Sequence, residues 1–278
     1  ENLAKYFMNP KLADPKYDAE DLIDAYVANI GVVGGKKGYL PGPLGSVYGI
    51  PFGSETSIFG YRKDIFDKHG LKVPETYDEL IDLACKIPQL EPGMGGLSSR
   101  AASGHHASHA FLLHLAPLGG RIFDDAWNPI VNNAAGVKAA KALKTFVDCG
   151  PDGSQTFGFA EAGAAFLQGR TAMFLDSTVF AGQVNDPKVS KVVGKIGWAP
   201  HPKGVRRGSQ TGGFGIAIPK NAQNKEAAFL LMQWLTSKRA DKLVALAGGN
   251  PSRYSTHADP DVNAKFPHMA TFGEALKY

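Results

Sequence analysis

The sequence predicts an α/β fold, on three observations. Short runs rich in β-branched and aromatic residues alternate with stretches whose apolar residues recur at helical spacing. Thr76 and Glu79 have the spacing of a capping box at the head of one such stretch. At 278 residues, 44% hydrophobic and 20% charged, the chain can bury the faces of these elements in a sizeable core. Strands must cover their apolar faces, and the intervening helices are what is available to cover them.

Taken in order, residues 18–28 read as a short helix, with Asp18 as cap and Leu22, Ile23 and Tyr26 on one face. Residues 31–45 are rich in Gly and Pro and read as a loop. Two strands follow, 47–52 and 56–61, separated by Gly53-Ser54. The Thr76–Glu79 box opens a helix that Pro88 is expected to end. Residues 90–106 are rich in Gly and Ser and read as irregular, and 107–115 as a helix. Residues 133–149 form a further helix, with Val137, Ala140, Leu143 and Val147 as its apolar face. A helix over 161–168, stopped by Gly169, leads into a strand at 171–175. Short strands are expected at 196–199 and 214–218. A helix over 224–237 carries the stripe Ala227, Leu230, Leu231 and Trp234.

Composition narrows the function classes. The net charge of +4 is small and the basic residues are scattered, which gives nucleic-acid binding little support. No apolar run reaches the roughly 18 residues of a membrane span, and no basic-then-apolar leader opens the sequence. Cys85 and Cys149 are the only cysteines; they are compatible with one disulfide, but the expectation is two buried free thiols. Nucleophile-elbow, nucleotide-phosphate-loop and dinucleotide fingerprints are absent, and the Gly31–Gly38 stretch with Lys36-Lys37 is a poor match to a phosphate loop. No cofactor and no metal are expected.

Several strings carry more than periodicity. VYGIPFGSE at 47–55 runs into FGYRKDIF at 59–66 and GLKVPETYDEL at 70–80. They are followed in order by AAFLQGRTAMF at 164–174, GWAPHPKG at 197–204, GGFGIAIPK at 212–220 and GGNPSR at 248–253. This succession resembles the family 1 extracellular solute-binding proteins of ABC transporters, the maltose-binding-protein group. LDSTVF at 175–180 is most similar to that family's sugar and sugar-alcohol receptors.

The resemblance implies a two-lobed periplasmic-binding-protein fold of type II-like topology, with the solute in a cleft between the lobes. Residues 1–54 and 213–258 would form a first lobe, incomplete because both family termini fall outside the sequence. Residues 57–208 would form the second lobe, and 259–278 a crossing and the start of C-terminal helices. Crossings are expected near 54–57, 209–213 and 258–266. The function implied is capture of a sugar or sugar alcohol for an ABC importer, by a monomer that binds the permease subunits. The place implied is periplasmic or extracellular, with anchoring through a preceding segment as an option.

Such a site needs carboxylates, amides and guanidinium groups for hydroxyls, and rings beneath the C–H faces. The candidates are Glu55 at the first crossing, Asp176 after an apolar strand, Phe180 and Phe214 as platforms, and Asn250 and Arg253 in a Gly-Gly turn. Arg253 could equally pair with a first-lobe carboxylate, and Asp176 could equally cap Ser177-Thr178. His105, His106 and His109 are expected at a polar rim; the His105/His109 spacing would also suit a metal on a helix face, but no third ligand is evident. Arg62 and Trp198 are expected to be structural. Two rival readings stand beside the receptor: a carbohydrate-active enzyme using the Glu55/Asp176 carboxylates, and a metal- or anion-binding receptor.

Overall fold

A computed structural model describes residues 1–33 and 46–277, so most of the expected 31–45 loop lies outside the described residues. The chain divides into two compact α/β units: residues 1–55 with 211–273, and 56–210 with 274–278. The last passage between units therefore falls at 273–274, beyond the 258–266 expected from the sequence.

In chain order, unit 1 opens with α1 (Ala4–Phe7), α2 (Asp24–Tyr26), β1 (Val32–Val33), β2 (Ser46–Val47) and β3 (Ile50–Glu55). Unit 2 contributes β4 (Ser57–Arg62), α3 (Lys63–Lys68), α4 (Tyr77–Leu90), β5 (Gly95–Ser98), α5 (His105–Leu115), α6 (Ala134–Asp148), α7 (Phe159–Leu167), β6 (Thr171–Ser177) and β7 (Ile196–Ala199). After the return come β8 (Gly212–Ile216), α8 (Lys225–Leu235), α9 (Lys238–Leu246), α10 (Tyr254–His257), α11 (Pro260–Lys265) and α12 (His268–Ala275).

Unit 2 is built on a four-stranded sheet in the order β5-β6-β4-β7, with β5 and β6 parallel and the other pairs antiparallel. Side chains alternate across β6: Met173 and Leu175 join a core with Leu80, Ala84, Ala142 and Phe146 from α4 and α6, whereas Phe174 packs with Phe166 and Phe180 on the other side. Both faces are covered by helices. Arg62 is 7% exposed and forks onto Asp64 at 2.7 and 2.6 Å, a structural ion pair. Trp198 lies partly buried against Phe166, with ring centroids 6.3 Å apart.

Several elements depart from the sequence reading, each for a physical reason. The strand β5 sits inside the stretch read as irregular, because its residues are Gly, Gly, Leu and Ser. Those glycines permit close approach: a Cβ on Gly96 would lie 1.7 Å from the Ala84 carbonyl oxygen, and one on Gly95 would lie 2.2 Å from the Pro151 nitrogen. Helix α4 also continues through Pro88 to Leu90. Ala84 O, the carbonyl that Pro88 cannot serve, faces Gly96 there.

The helix expected over 18–28 is broken. Leu22 is extended and bridges Arg253, while the Ile23 N–H donates to Ser252 O at 3.0 Å. Asp18, at φ 50°, caps nothing through its side chain. Gly53-Ser54 lies within β3, where a register shift between Phe52 and Glu55 absorbs the positive φ of Gly53. On α6 the buried face is Gly136, Ala139, Ala142 and Phe146, one position round from the face expected, and Val137 is exposed. On α8 the inward residues are Phe229, Met232 and Gln233, because Phe229 packs on Tyr6 and Phe7 with ring centroids at 5.2 and 4.9 Å. The expected stripe therefore faces outward: Leu230, Leu231 and Trp234 are 45%, 55% and 61% exposed.

The two cysteines are joined. Cys85 and Cys149 form a disulfide with a Cα–Cα distance of 5.0 Å, which corrects the expectation of free thiols. The capping box holds as read: Glu79 N–H donates to Thr76 Oγ1 at 3.3 Å, and Thr76 N–H to Glu79 Oε2 at 2.9 Å. Thr76→Ala is expected to lower stability by about 1 kcal/mol, the usual size of a lost N-cap, read as a shift of the urea midpoint at constant slope.

Candidate functional site

The parallel strands β5 and β6 run the same way, and charge stands close to the carboxyl end of each. Two residues past β5 stands Arg100; near the end of β6 stands Asp176. In open α/β sheets the carboxyl ends of parallel strands are where ligands bind, because loops there are free of the sheet's own pairing. By those carboxyl ends lie the first two turns of α5, with His105, His106 and His109, and the first residue of α7, Phe159.

Arg100 donates from Nε to Asp176 Oδ2 at 2.8 Å and from Nη2 to Oδ1 at 2.5 Å, a two-pronged ion pair. Both side chains are buried, and the guanidinium lies over the Phe159 ring with its carbon 4.5 Å from the centroid. Asp176 Oδ1 also accepts the Ser177 N–H at 2.6 Å, while Ser177 Oγ accepts from Val179 N–H. The loop bearing Arg100 is pinned by Ala101 and Ala102, whose N–H groups both reach Phe157 O, at 2.8 and 2.9 Å. These contacts fix the fork within the chain.

His109 Nε2 approaches Asp176 Oδ1 to 3.7 Å but makes no hydrogen bond, and it is buried; His106 Nδ1 is a second buried nitrogen without a partner. Burial, with the Arg100 charge second, lowers the His109 pKa to about 4, so its imidazole is neutral near pH 7. The rings of His105 and His106 lie 5.6 Å apart, and those of His105 and His109 6.1 Å. Buried polar atoms left unpaired are costly, and two of them stand with this ion pair. No three His, Cys, Asp or Glu side chains gather as metal ligands among the described residues.

The structure thus brings together four sequence candidates, His105, His106, His109 and Asp176, within unit 2. Phe180 is also in unit 2 but packs in its core, 8% exposed, against Phe159 and Phe174. Glu55, Phe214, Asn250 and Arg253 belong to unit 1. Glu55 ends β3, where its carbonyl accepts the Tyr26 hydroxyl at 2.8 Å. Phe214 on β8 is 71% exposed opposite Phe52, and Asn250 is 8% exposed. Arg253 is wholly buried; it donates to Thr236 O at 2.8 Å, Asp18 O at 2.7 Å and Asp21 Oδ2 at 3.3 Å. Arg100 was missed. Its signal was the strand before it, and a GGLS strand has no periodicity to read.

Residues 2–242 match the family described as bacterial extracellular solute-binding protein. A mannitol-binding protein of Pseudomonas aeruginosa is 34% identical over 210 residues, 72% of this chain and 48% of the relative. A solute-binding protein of Agrobacterium radiobacter solved with ribitol superposes with a TM-score of 0.87 at 26% identity, over all of this chain and 68% of that one. One from Agrobacterium vitis with bound D-mannitol gives 0.78 at 32%, over 95% of this chain and 64% of that one. The chain spans about half the length of the curated relatives it matches.

Proposed function

Since the chain belongs to the bacterial extracellular solute-binding protein family, we propose that it captures a sugar or sugar alcohol and delivers it to the permease subunits of an ABC importer, without chemical turnover. The relatives named for mannitol, and those solved with ribitol and D-mannitol, support the ligand class. The observation that carries the reading here is the fixed Arg100–Asp176 fork, ringed by unpartnered imidazole nitrogens and a phenyl face. A polyol offers each hydroxyl as donor and acceptor at once, and such a set of donors, acceptors and rings complements it.

In this reading Asp176, Arg100, His105, His106 and His109 contact the ligand from unit 2, with Glu55, Phe180, Phe214 and Asn250 as further candidates. Arg253, wholly buried, is assigned to the framework of unit 1. The protein acts as a monomer in the periplasm or outside the cell, with anchoring, where present, supplied by a segment other than those described. No helix among the described residues is long and apolar enough to cross a membrane.

The test is a thermal-shift and calorimetric screen with ribitol, D-mannitol, D-glucitol, glucose and maltose. At a hundredfold excess over Kd a true ligand stabilises by about 2.7 kcal/mol, a shift of several degrees. Arg100→Gln should abolish it. Absence of any shift across alditols, mono- and disaccharides, or release of aryl groups from aryl glycosides, would overturn the reading.

A further inference from the structure

We infer that Asp176 is an internal counter-anion: it fills the Arg100 fork that a sugar acid would otherwise occupy, and so restricts the site to uncharged polyhydroxy ligands. This rests on the sugar and sugar-alcohol reading of the same site. A guanidinium on an aromatic face beside helix N-termini is an arrangement that recognises carboxylates. Here the Nε/Nη2 edge is already taken by a buried carboxylate of the chain, itself held by the Ser177 N–H.

Charge bookkeeping points the same way. Arg100 and Asp176 sum to zero, and the adjacent His109 adds no positive charge near neutral pH. Glu161, in the first turn of α7, is engaged by the Gly158 N–H at 3.0 Å. An incoming anion would meet the Asp176 charge, and the Arg100 charge beside it is already paired. An alditol hydroxyl needs no counter-charge: it accepts from Arg100 Nη1, which has no hydrogen-bond partner among the described residues, and pairs with the imidazole nitrogens.

The experiment compares an alditol with the hexonate of the same skeleton, D-glucitol with D-gluconate and D-mannitol with D-mannonate, at constant ionic strength set by chloride. The wild-type protein is expected to prefer the alditol by at least about a hundredfold, the size of one unpaired charged hydrogen bond. In Asp176→Asn the freed fork should admit the hexonate: its affinity rises about tenfold or more while the alditol's falls, and the hexonate raises the melting temperature where chloride does not. The double variant Arg100→Gln/Asp176→Asn should lose that gain, which separates ligand pairing from a general loosening.

Equal wild-type affinity for alditol and hexonate would overturn the inference, as would a folded Asp176→Asn protein with no hexonate response above the chloride control. Should Asp176→Asn not fold, the wild-type ratio still decides. A wild type that binds no alditol overturns the polyol reading instead, and the hexonate response of Asp176→Asn then judges this assignment alone.

Discussion

Replacing Cys85 and Cys149 together by alanine is expected to lower the stability of unit 2 by about 4 kcal/mol, the loop-closure value for a cross-link spanning this much chain. The two residues are 64 apart in sequence, so the disulfide removes much freedom from the unfolded chain. It also sits where packing alone has least to offer. Cys85 lies in α4 and Cys149 caps α6, and between these helices runs β5, two of whose four residues are glycines. The Gly96 N–H donates to Cys149 O at 2.8 Å, so the staple holds a strand that has little side chain to bury. Denaturant unfolding followed by tryptophan fluorescence in a Trp234→Phe background, where the remaining Trp127 and Trp198 are both in unit 2, should show the midpoint falling by the same amount in the double variant and in the parent protein under reductant. A midpoint indifferent to reductant, or two thiols titrating in the unfolded unreduced protein, would sink the prediction.

Arg253→Met should cost about as much in unit 1, roughly 3 to 5 kcal/mol, the usual cost of removing one partner from a buried charged network. The guanidinium is 0% exposed and lies 4.7 Å from the Tyr17 ring centroid; it ties the Asp18–Asp21 turn to Thr236 at the end of α8. Its loss strands the Thr236 carbonyl oxygen; Asp18 O keeps the Asp21 N–H at 3.4 Å, and Asp21 keeps its bonds from Ser255 N–H and hydroxyl at 2.8 and 2.6 Å. Arg253→Lys cannot reach three acceptors in one plane and should recover only part of the loss. The readout that distinguishes framework from ligand contact is affinity. Folded Arg253→Met protein should bind D-mannitol as wild type does, and a protein of normal stability that no longer binds would return Arg253 to the ligand site.

The α/β class and most helices were legible because their signals are local. The Thr76–Glu79 box and the apolar run at 171–175 each announce an element within a few residues. The failures share a different cause, which is that tertiary contacts decided the outcome. Leu22 and Ile23 leave the helical path because Arg253 and Ser252 pair with them from more than two hundred residues away. The stripe on α8 was misplaced because that helix is apolar on more than one face, and only the rings of Tyr6 and Phe7 say which side is inside.

Legibility of the site was split in the same way. Asp176 follows a strand that any reading finds, and the three histidines stand out in composition. Arg100 follows a strand of small residues whose existence depends on α4 and Pro151 lying directly on it. Neither the ion pair nor the orphaned imidazole nitrogens can be read from spacing, because their partners come from β5, β6 and α5, far apart in sequence.

The order in which the two units can be finished follows from how the chain is shared between them. Unit 2 is contiguous from Thr56 to Gln210 apart from its last few residues, and both of its cysteines have been synthesised by residue 149. Unit 1 is interrupted: β3 must wait for β8, with Ile50 opposite Ile216. During synthesis residues 1–55 therefore precede the whole of 56–210, and their partner segment from residue 211 follows it. Through that interval β3 lacks the strand it pairs with, and Ile50, buried in the finished protein, waits for Ile216.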